Sequence, residues 1–156
     1  MKKIEMVDLK GQYEQIKEEV NQSILETIES TLFINGPKVK SFQDHLEKYL
    51  GVKNVIPCAN GTDALQIALM SLGLKPGDEV ITSNFTFAAT VEVISLLGLT
   101  PILVDVDPKT FNIDIPSIEK AIGPKTKAII PVHLFGQVAD MAEILALAEE
   151  NNLYVI

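Results

Sequence analysis

Basic residues are scarce in this sequence: 13 lysines and arginines stand against 21 aspartates and glutamates, a net charge of -8. A nucleic-acid surface needs a basic face, and the Lys2-Lys3 pair does not supply one. Long apolar runs are missing as well. None reaches the roughly 20 residues that span a bilayer, and the N-terminus lacks the apolar core of a signal peptide. The one cysteine, Cys58, excludes an internal disulfide and fits a cytoplasmic, reducing setting. Neither G-x-G-x-x-G after a strand nor G-x-x-x-x-G-K-[ST] occurs, which weakens a dinucleotide dehydrogenase and a P-loop NTPase. No repeat or low-complexity linker interrupts the chain.

What is present is ordinary globular material. The 156 residues, 47% hydrophobic and 22% charged, suit a single domain with a real core. Ile16, Val20, Ile24, Ile28 and Leu32 recur every four residues and predict an amphipathic helix. Phe33-Ile34-Asn35-Gly36-Pro37 breaks it, because glycine admits unusual backbone angles and proline cannot donate. A second helix follows, with Val39, Phe42, Leu46, Tyr49 and Leu50 on its inner face and Gly51 at its end. Residues 1–51 therefore form an N-terminal helical segment.

From Val52 to Ile156 strands and helices alternate. Strands are expected near 54–58, 80–83, 101–105, 128–132 and 153–156, and helices near 62–73, 88–98, 116–122 and 139–151. The strands are continuous apolar runs, as expected when both faces are covered. This predicts the α/β class, with a parallel or mostly parallel sheet and right-handed crossovers. Leu153 to Ile156 reads as a buried, central strand beginning right after a helix, so the chain is expected to be truncated.

Four stretches carry possible chemistry. In Cys58-Ala59-Asn60-Gly61-Thr62-Asp63-Ala64-Leu65 a helix opens directly after a strand. Free amides and partial positive charge at a helix start suit a phosphate, with Gly61 allowing close approach and Thr62 adding a hydroxyl. A plain cap by Asn60 or Thr62 is the competing reading, and Asp63 would repel a phosphate unless it points away. Cys58 in its apolar strand reads as packing.

Phe85-Thr86-Phe87-Ala88-Ala89-Thr90 follows the carboxyl end of a strand, where open α/β sheets bind ligands. One phenylalanine there could stack on a flat heterocycle; on the residues alone, both read better as plugs into the core. Asp105-Val106-Asp107 could hold a metal, as in the D-x-D element of glycosyltransferases, but Asp107-Pro108 is a turn signal and no metal ligand is assigned. His133, after another strand, is either a proton carrier or ligand contact, or a histidine satisfied by local hydrogen bonds. His45 reads as surface.

Together these segments resemble one family, the DegT/DnrJ/EryC1/StrS sugar aminotransferases. The resemblance runs from Val7-Asp8-Leu9 to the last strand. It rests on the Phe33–Pro37 break, Asn60–Leu65, Pro76-Gly77-Asp78-Glu79-Val80-Ile81-Thr82, Phe85–Thr90 and Pro131-Val132-His133-Leu134-Phe135-Gly136-Gln137, in that order and spacing.

The resemblance implies that residues 52–156 are the first part of the large domain of a fold-type-I, pyridoxal 5'-phosphate-dependent transferase. It implies amino transfer from glutamate to a nucleotide-linked keto sugar, with a lean to a UDP-linked 3-oxo-hexuronic acid of surface-polysaccharide synthesis. Gly61, Thr62 and Asp63 would hold the cofactor phosphate, and Phe87 would stack on its ring. Thr31 and Phe33 match positions that reach the sugar nucleotide, commonly from the neighbouring subunit of a homodimer. The resemblance puts the pyridinium aspartate just after Ile156 and the Schiff-base lysine further on, so no catalytic residue is assigned within the chain and it is expected to be inactive alone. A dehydratase of the same family, a non-catalytic regulatory protein on the same fold and a metal-dependent glycosyltransferase remain as alternatives.

Overall fold

A computed structural model describes residues 6–156; Lys2 and Lys3 lie outside the described residues. The chain divides into two units, Met1–Pro57 and Cys58–Ile156.

The first unit is helical. Helix α1 (Leu9–Ser30) starts at Asp8, whose carboxylate accepts the Gly11 amide at 2.9 Å. That bond satisfies one of the donors a helix start leaves free. It ends at Thr31, which turns left-handed (φ 55°) and donates its amide to Ile28. Leu32, expected to close the apolar stripe, therefore falls beyond the helix. Ile16, Val20, Ile24 and Ile28 do share a face, yet no residue of α1 is buried.

Helix α2 (Pro37–Leu50) has proline in its first turn, where a missing N–H costs nothing, and ends at Gly51 (φ 66°), where a side chain would be strained. Its expected inner face is uncovered in part: Val39 and Leu46 are half-buried, but Phe42, Tyr49 and Leu50 are exposed. Lys38 and Glu26 join the two helices at 2.7 Å. The Lys38 hydrogen bond, helped by Gln22, holds the Glu26 carboxyl below the usual range.

The strand expected at 54–58 does not form. An extended segment becomes a strand only where a ladder takes its backbone groups. Here the Val55 amide goes instead to the Glu47 carboxylate of α2, at 3.0 Å.

The second unit contains α3 (Gly61–Ser71), β1 (Glu79–Ser83), α4 (Ala89–Leu96), β2 (Thr100–Val104), α5 (Ile115–Ala121), β3 (Thr126–Ile130), α6 (Met141–Glu150) and β4 (Tyr154–Val155). The four strands form a parallel sheet in the order β2-β1-β3-β4. Successive strand residues point to opposite faces, and the core divides accordingly. Ile81 and Ile129 pack with Val104, Ile118, Ile144 and Ala148, under α5 and α6. Val80, Ala128 and Ile130 pack with Leu69, Val93 and Ile94, under α3 and α4. Covering both faces explains why these strands lack polar alternation.

β4 lies at the sheet edge beside β3, and Tyr154 is exposed. Gly73 (φ 66°) and Gly77 (φ 89°) bracket the turn into β1, closed by the Asp78 carboxylate on the Lys75 amide at 2.8 Å.

Candidate functional site at the carboxyl ends of the strands

The strand order sets the location. From β1 the chain moves to β2 on one side and then returns to β3 on the other. The order reverses between β1 and β3, and a crevice opens at the carboxyl ends of the strands at such a reversal. The segments that follow are 84–88 after β1, with Phe85 and Phe87, and 131–139 after β3, with His133. Beneath them the Thr82 hydroxyl donates to the Ile130 carbonyl at 2.9 Å, joining the two strand ends inside the core.

Helix α3 brings its amino end to the same place. Thr62 and Gln66 share a groove of about 630 Å³ with Val91, Glu92 and Ser95 of α4. Helix α3 leads through the short turn 72–78 into the amino end of β1 and packs along α4, so its own amino end, with Gly61 and Thr62, points toward the carboxyl end of the sheet.

The start of α3 is more constrained than its sequence implies. Asn60 is the cap: its side-chain Oδ1 accepts the Asp63 amide at 2.9 Å, and its backbone oxygen accepts the Ala64 amide at 3.1 Å. Asp63 thus has no amide to spare, and the amides of Gly61 and Thr62 have no partner among the described residues. Asn60 also donates its side-chain N–H to the Asp63 carboxylate at 3.2 Å, which ties that charge to the cap. The cap and a phosphate seat are compatible, since they use different amides.

Phe87 and Phe85 part company. Phe85 rests on Phe111, ring centroids 5.6 Å apart and tilted by 46°. Phe85 is still 47% exposed and Phe87 78% exposed, both contrary to their reading as core plugs. Phe87 occupies the turn ahead of α4, where its carbonyl accepts the Thr90 amide, and its ring is left to solvent.

Cys58 is exposed rather than packed, because the strand meant to bury it is absent. The Asp107 carboxylate accepts the amides of Lys109 and Thr110 at 2.8 and 2.9 Å, which close the turn and hold it below the usual aspartate range. Asp105 accepts the Val106 amide. Among the described residues no cluster of histidine, cysteine or carboxylates forms a metal site. His45 is exposed on α2. His133 takes the Ala139 amide on Nδ1 at 3.2 Å.

Thr31 and Phe33 belong to the first unit. Thr31 is the left-handed residue that closes α1, and Phe33 is 63% exposed. Two residues without a sequence signal matter here, Phe111 and Asn112. Phe111 supports Phe85, and Asn112 is a buried polar hub. Both partnerships join residues far apart in sequence, which no local pattern reports.

Residues 14–156 match the signature of the DegT/DnrJ/EryC1/StrS aminotransferase family. The chain belongs to that family.

Its curated relatives include UDP-2-acetamido-2-deoxy-3-oxo-D-glucuronate aminotransferase of Pseudomonas aeruginosa, 49% identical over 98% of this chain and 43% of the relative. Another, a pleiotropic regulatory protein of Geobacillus stearothermophilus, is 49% identical over 98% of this chain and 41% of its own length. Among solved structures, a DegT DnrJ EryC1 StrS aminotransferase from Brucella abortus superposes with a TM-score of 0.94 at 42% identity, covering 98% of this chain and 43% of that one. The Bacillus subtilis ntda structure, with bound cofactor pmp, gives 0.87 at 41%, covering 90% and 32%. The chain thus spans less than half the length of the DegT-family proteins it matches.

Proposed function

We propose that this chain carries the phosphate end of the cofactor site in a pyridoxal 5'-phosphate-dependent aminotransferase that moves an amino group from glutamate to a nucleotide-linked keto sugar. The observation that carries the reading is the pair of unspent amides, Gly61 and Thr62, at the start of an 11-residue helix at the carboxyl end of a parallel sheet. The donor set suits a phosphate: two backbone N–H groups, the Thr62 hydroxyl and the positive end of a helix. The one nearby carboxylate, Asp63, is held by Asn60.

The bound cofactor supplies an electron sink for the carbon that exchanges its amino group. The chain's residues bind and orient it. Gly61 and Thr62 fix the phosphate, and Asn60 keeps the Asp63 amide and carboxylate engaged in the cap. Phe87, with an open ring face, stacks on the flat heterocycle. His133 contributes a ligand contact from the opposite side of the strand reversal. Thr31 and Phe33 are the sugar-nucleotide contacts, and they serve the site of a neighbouring copy in a homodimer. The uncovered apolar stripe of α1 supports that assembly, since faces of this kind mark interaction surfaces.

The name of the Pseudomonas relative favours a UDP-linked 3-oxo-hexuronic acid as acceptor, and a spore coat polysaccharide biosynthesis protein of Bacillus subtilis, 44% identical over 90% of this chain, supports a role in surface polysaccharide. A nucleotide-sugar substrate and an exposed unpaired cysteine fit a cytoplasmic location. Among the described residues no helix is long and apolar enough to cross a membrane. The Geobacillus relative keeps a regulatory role on the same fold as a second reading; the two part on turnover of a keto sugar by the full-length protein.

The deciding experiment is Thr62→Ala in the full-length protein. A hydrogen bond to a charged group contributes about 1.5–3 kcal/mol, so retention of pyridoxal phosphate should fall roughly 10- to 150-fold on equilibrium dialysis. Wild-type retention by the variant would remove the phosphate assignment.

A further inference from the structure

Asn112 is 4% exposed, and both polar atoms of its side chain have partners. Its Nδ2 donates to the carbonyls of Gln137 and Val138, both at 3.2 Å, and its Oδ1 accepts the Leu134 amide at 3.2 Å. Carbonyls only accept and an amide only donates, so the side-chain orientation follows from its partners. Its own backbone oxygen accepts the Asp107 amide at 2.9 Å, inside the turn that the Asp107 carboxylate closes. Asn112 therefore anchors in the loop after β2 and grips the loop after β3 at three points.

That grip surrounds His133. Residues 134 and 137–138 are held directly, and the next amide, Ala139, donates to His133 Nδ1 at 3.2 Å. A backbone N–H cannot accept, so Nδ1 carries no proton and a neutral ring must carry its proton on Nε2. Nε2 finds no partner among the described residues, and His133 is exposed at the carboxyl end of β3. The turn that carries the grip is irregular: Phe135 has φ 54° and Gly136 φ 85°. Such a segment needs its surroundings to hold it.

We propose that Asn112 is a positioning residue, which clamps residues 134–138 so that His133 is presented as a neutral hydrogen-bond donor, through Nε2–H, to an oxygen acceptor bound at the carboxyl ends of β1 and β3. The ligand half of this proposal rests on the cofactor-site reading above; the tautomer half does not. Phe111, next in the chain, touches Phe85 in the loop after β1. One short stretch thus braces both loops of the strand reversal.

The test uses full-length protein labelled with ¹⁵N-histidine, with His133 assigned by comparison with His133→Gln. The wild type should show the Nε2–H tautomer at neutral pH, and Asn112→Ser should shift His133 toward a mixture of tautomers. An Nδ1–H tautomer in the wild type, or an unchanged spectrum in a folded Asn112→Ser variant, overturns the proposal. If Asn112→Ser does not fold, hydrogen exchange on the wild type decides. The Leu134 and Ala139 amides and the Asn112 side-chain amide should open together, with protection equal within about threefold; an Ala139 amide exchanging tenfold or more faster overturns it. In pyridoxal phosphate titrations, Asn112→Ser and His133→Phe should each weaken binding, and the double variant should be no weaker than His133→Phe alone. Wild-type affinity in His133→Phe overturns the presentation role. Failure of the wild type to bind at all strikes the cofactor-site reading, and the tautomer result then decides this one.

Discussion

The two units of this chain handle apolar residues in opposite ways. In Cys58–Ile156 the strands bury Val80, Ile81, Ala128 and Ile129 completely, between helices on both faces. In Met1–Pro57 the helices also carry isoleucines and leucines, on faces richer in charge, and none of their residues is buried. The two sets of apolar residues thus serve two ends. One set builds a scaffold that places loops at the strand ends, while the other stays available to a partner, which we propose is a second copy of the chain.

The sharpest test of that contrast is a cavity in the scaffold. In the full-length protein Ile129→Ala should cost about 2–5 kcal/mol in urea unfolding, as lost transfer energy and residual void add together. A cost below about 0.5 kcal/mol would show that the sheet core is not what holds the unit. The matching change on the exposed stripe is Ile24→Glu. Burying one isoleucine contributes about 1.5–3 kcal/mol, so this variant should weaken the dimer tenfold or more in sedimentation velocity. Unchanged association would break the comparison from the other side.

Asn60→Ala should cost about 1 kcal/mol, the usual effect of losing a helix cap, with fraying confined to the first turn of α3 in hydrogen exchange. Smallest is an acid effect. Backbone amides hold the Asp107 carboxyl down, and the Val55 amide, then Gln43, does the same for Glu47. Groups lowered by folding stabilise above the unfolded carboxylate range, about 4, and lose that contribution as pH falls through their folded values. The amide shifts of Lys109 and Thr110, and that of Val55, should therefore titrate below the ordinary aspartate and glutamate values respectively. A midpoint above the ordinary carboxylate range would contradict the geometry.

Much of the scaffold was legible because its signals are local. Apolar runs and turn residues place β1, β2, β3 and their helices within a few residues, and Gly51 and Pro37 mark real boundaries. The failures share a cause, since they depend on who the neighbours are. Residues 54–58 are apolar enough for a strand, but the Val55 amide belongs to Glu47; Cys58 loses its expected burial with that strand. Leu32 continues a perfect four-residue spacing, yet Thr31 has already turned the chain left-handed. At the site, the amino end of α3 could be read as an anion seat or a cap. The cap is observed, and the anion seat we propose beside it depends on Asn60 choosing the Asp63 amide and leaving those of Gly61 and Thr62. Asn112 carries no local signal, because its partners lie 22 to 26 residues away.

The hydrogen bond from Thr82 to Ile130 spans 48 residues. A ribosome adds about 5–20 residues per second, so one side of β1 waits roughly 2–10 s before its mate exists. Through that interval the nascent chain holds an apolar strand with one unsatisfied flank, open to rival pairings. Synonymous codon choice or pausing between residues 83 and 130 would lengthen or shorten that exposure without altering a single atom of the finished protein.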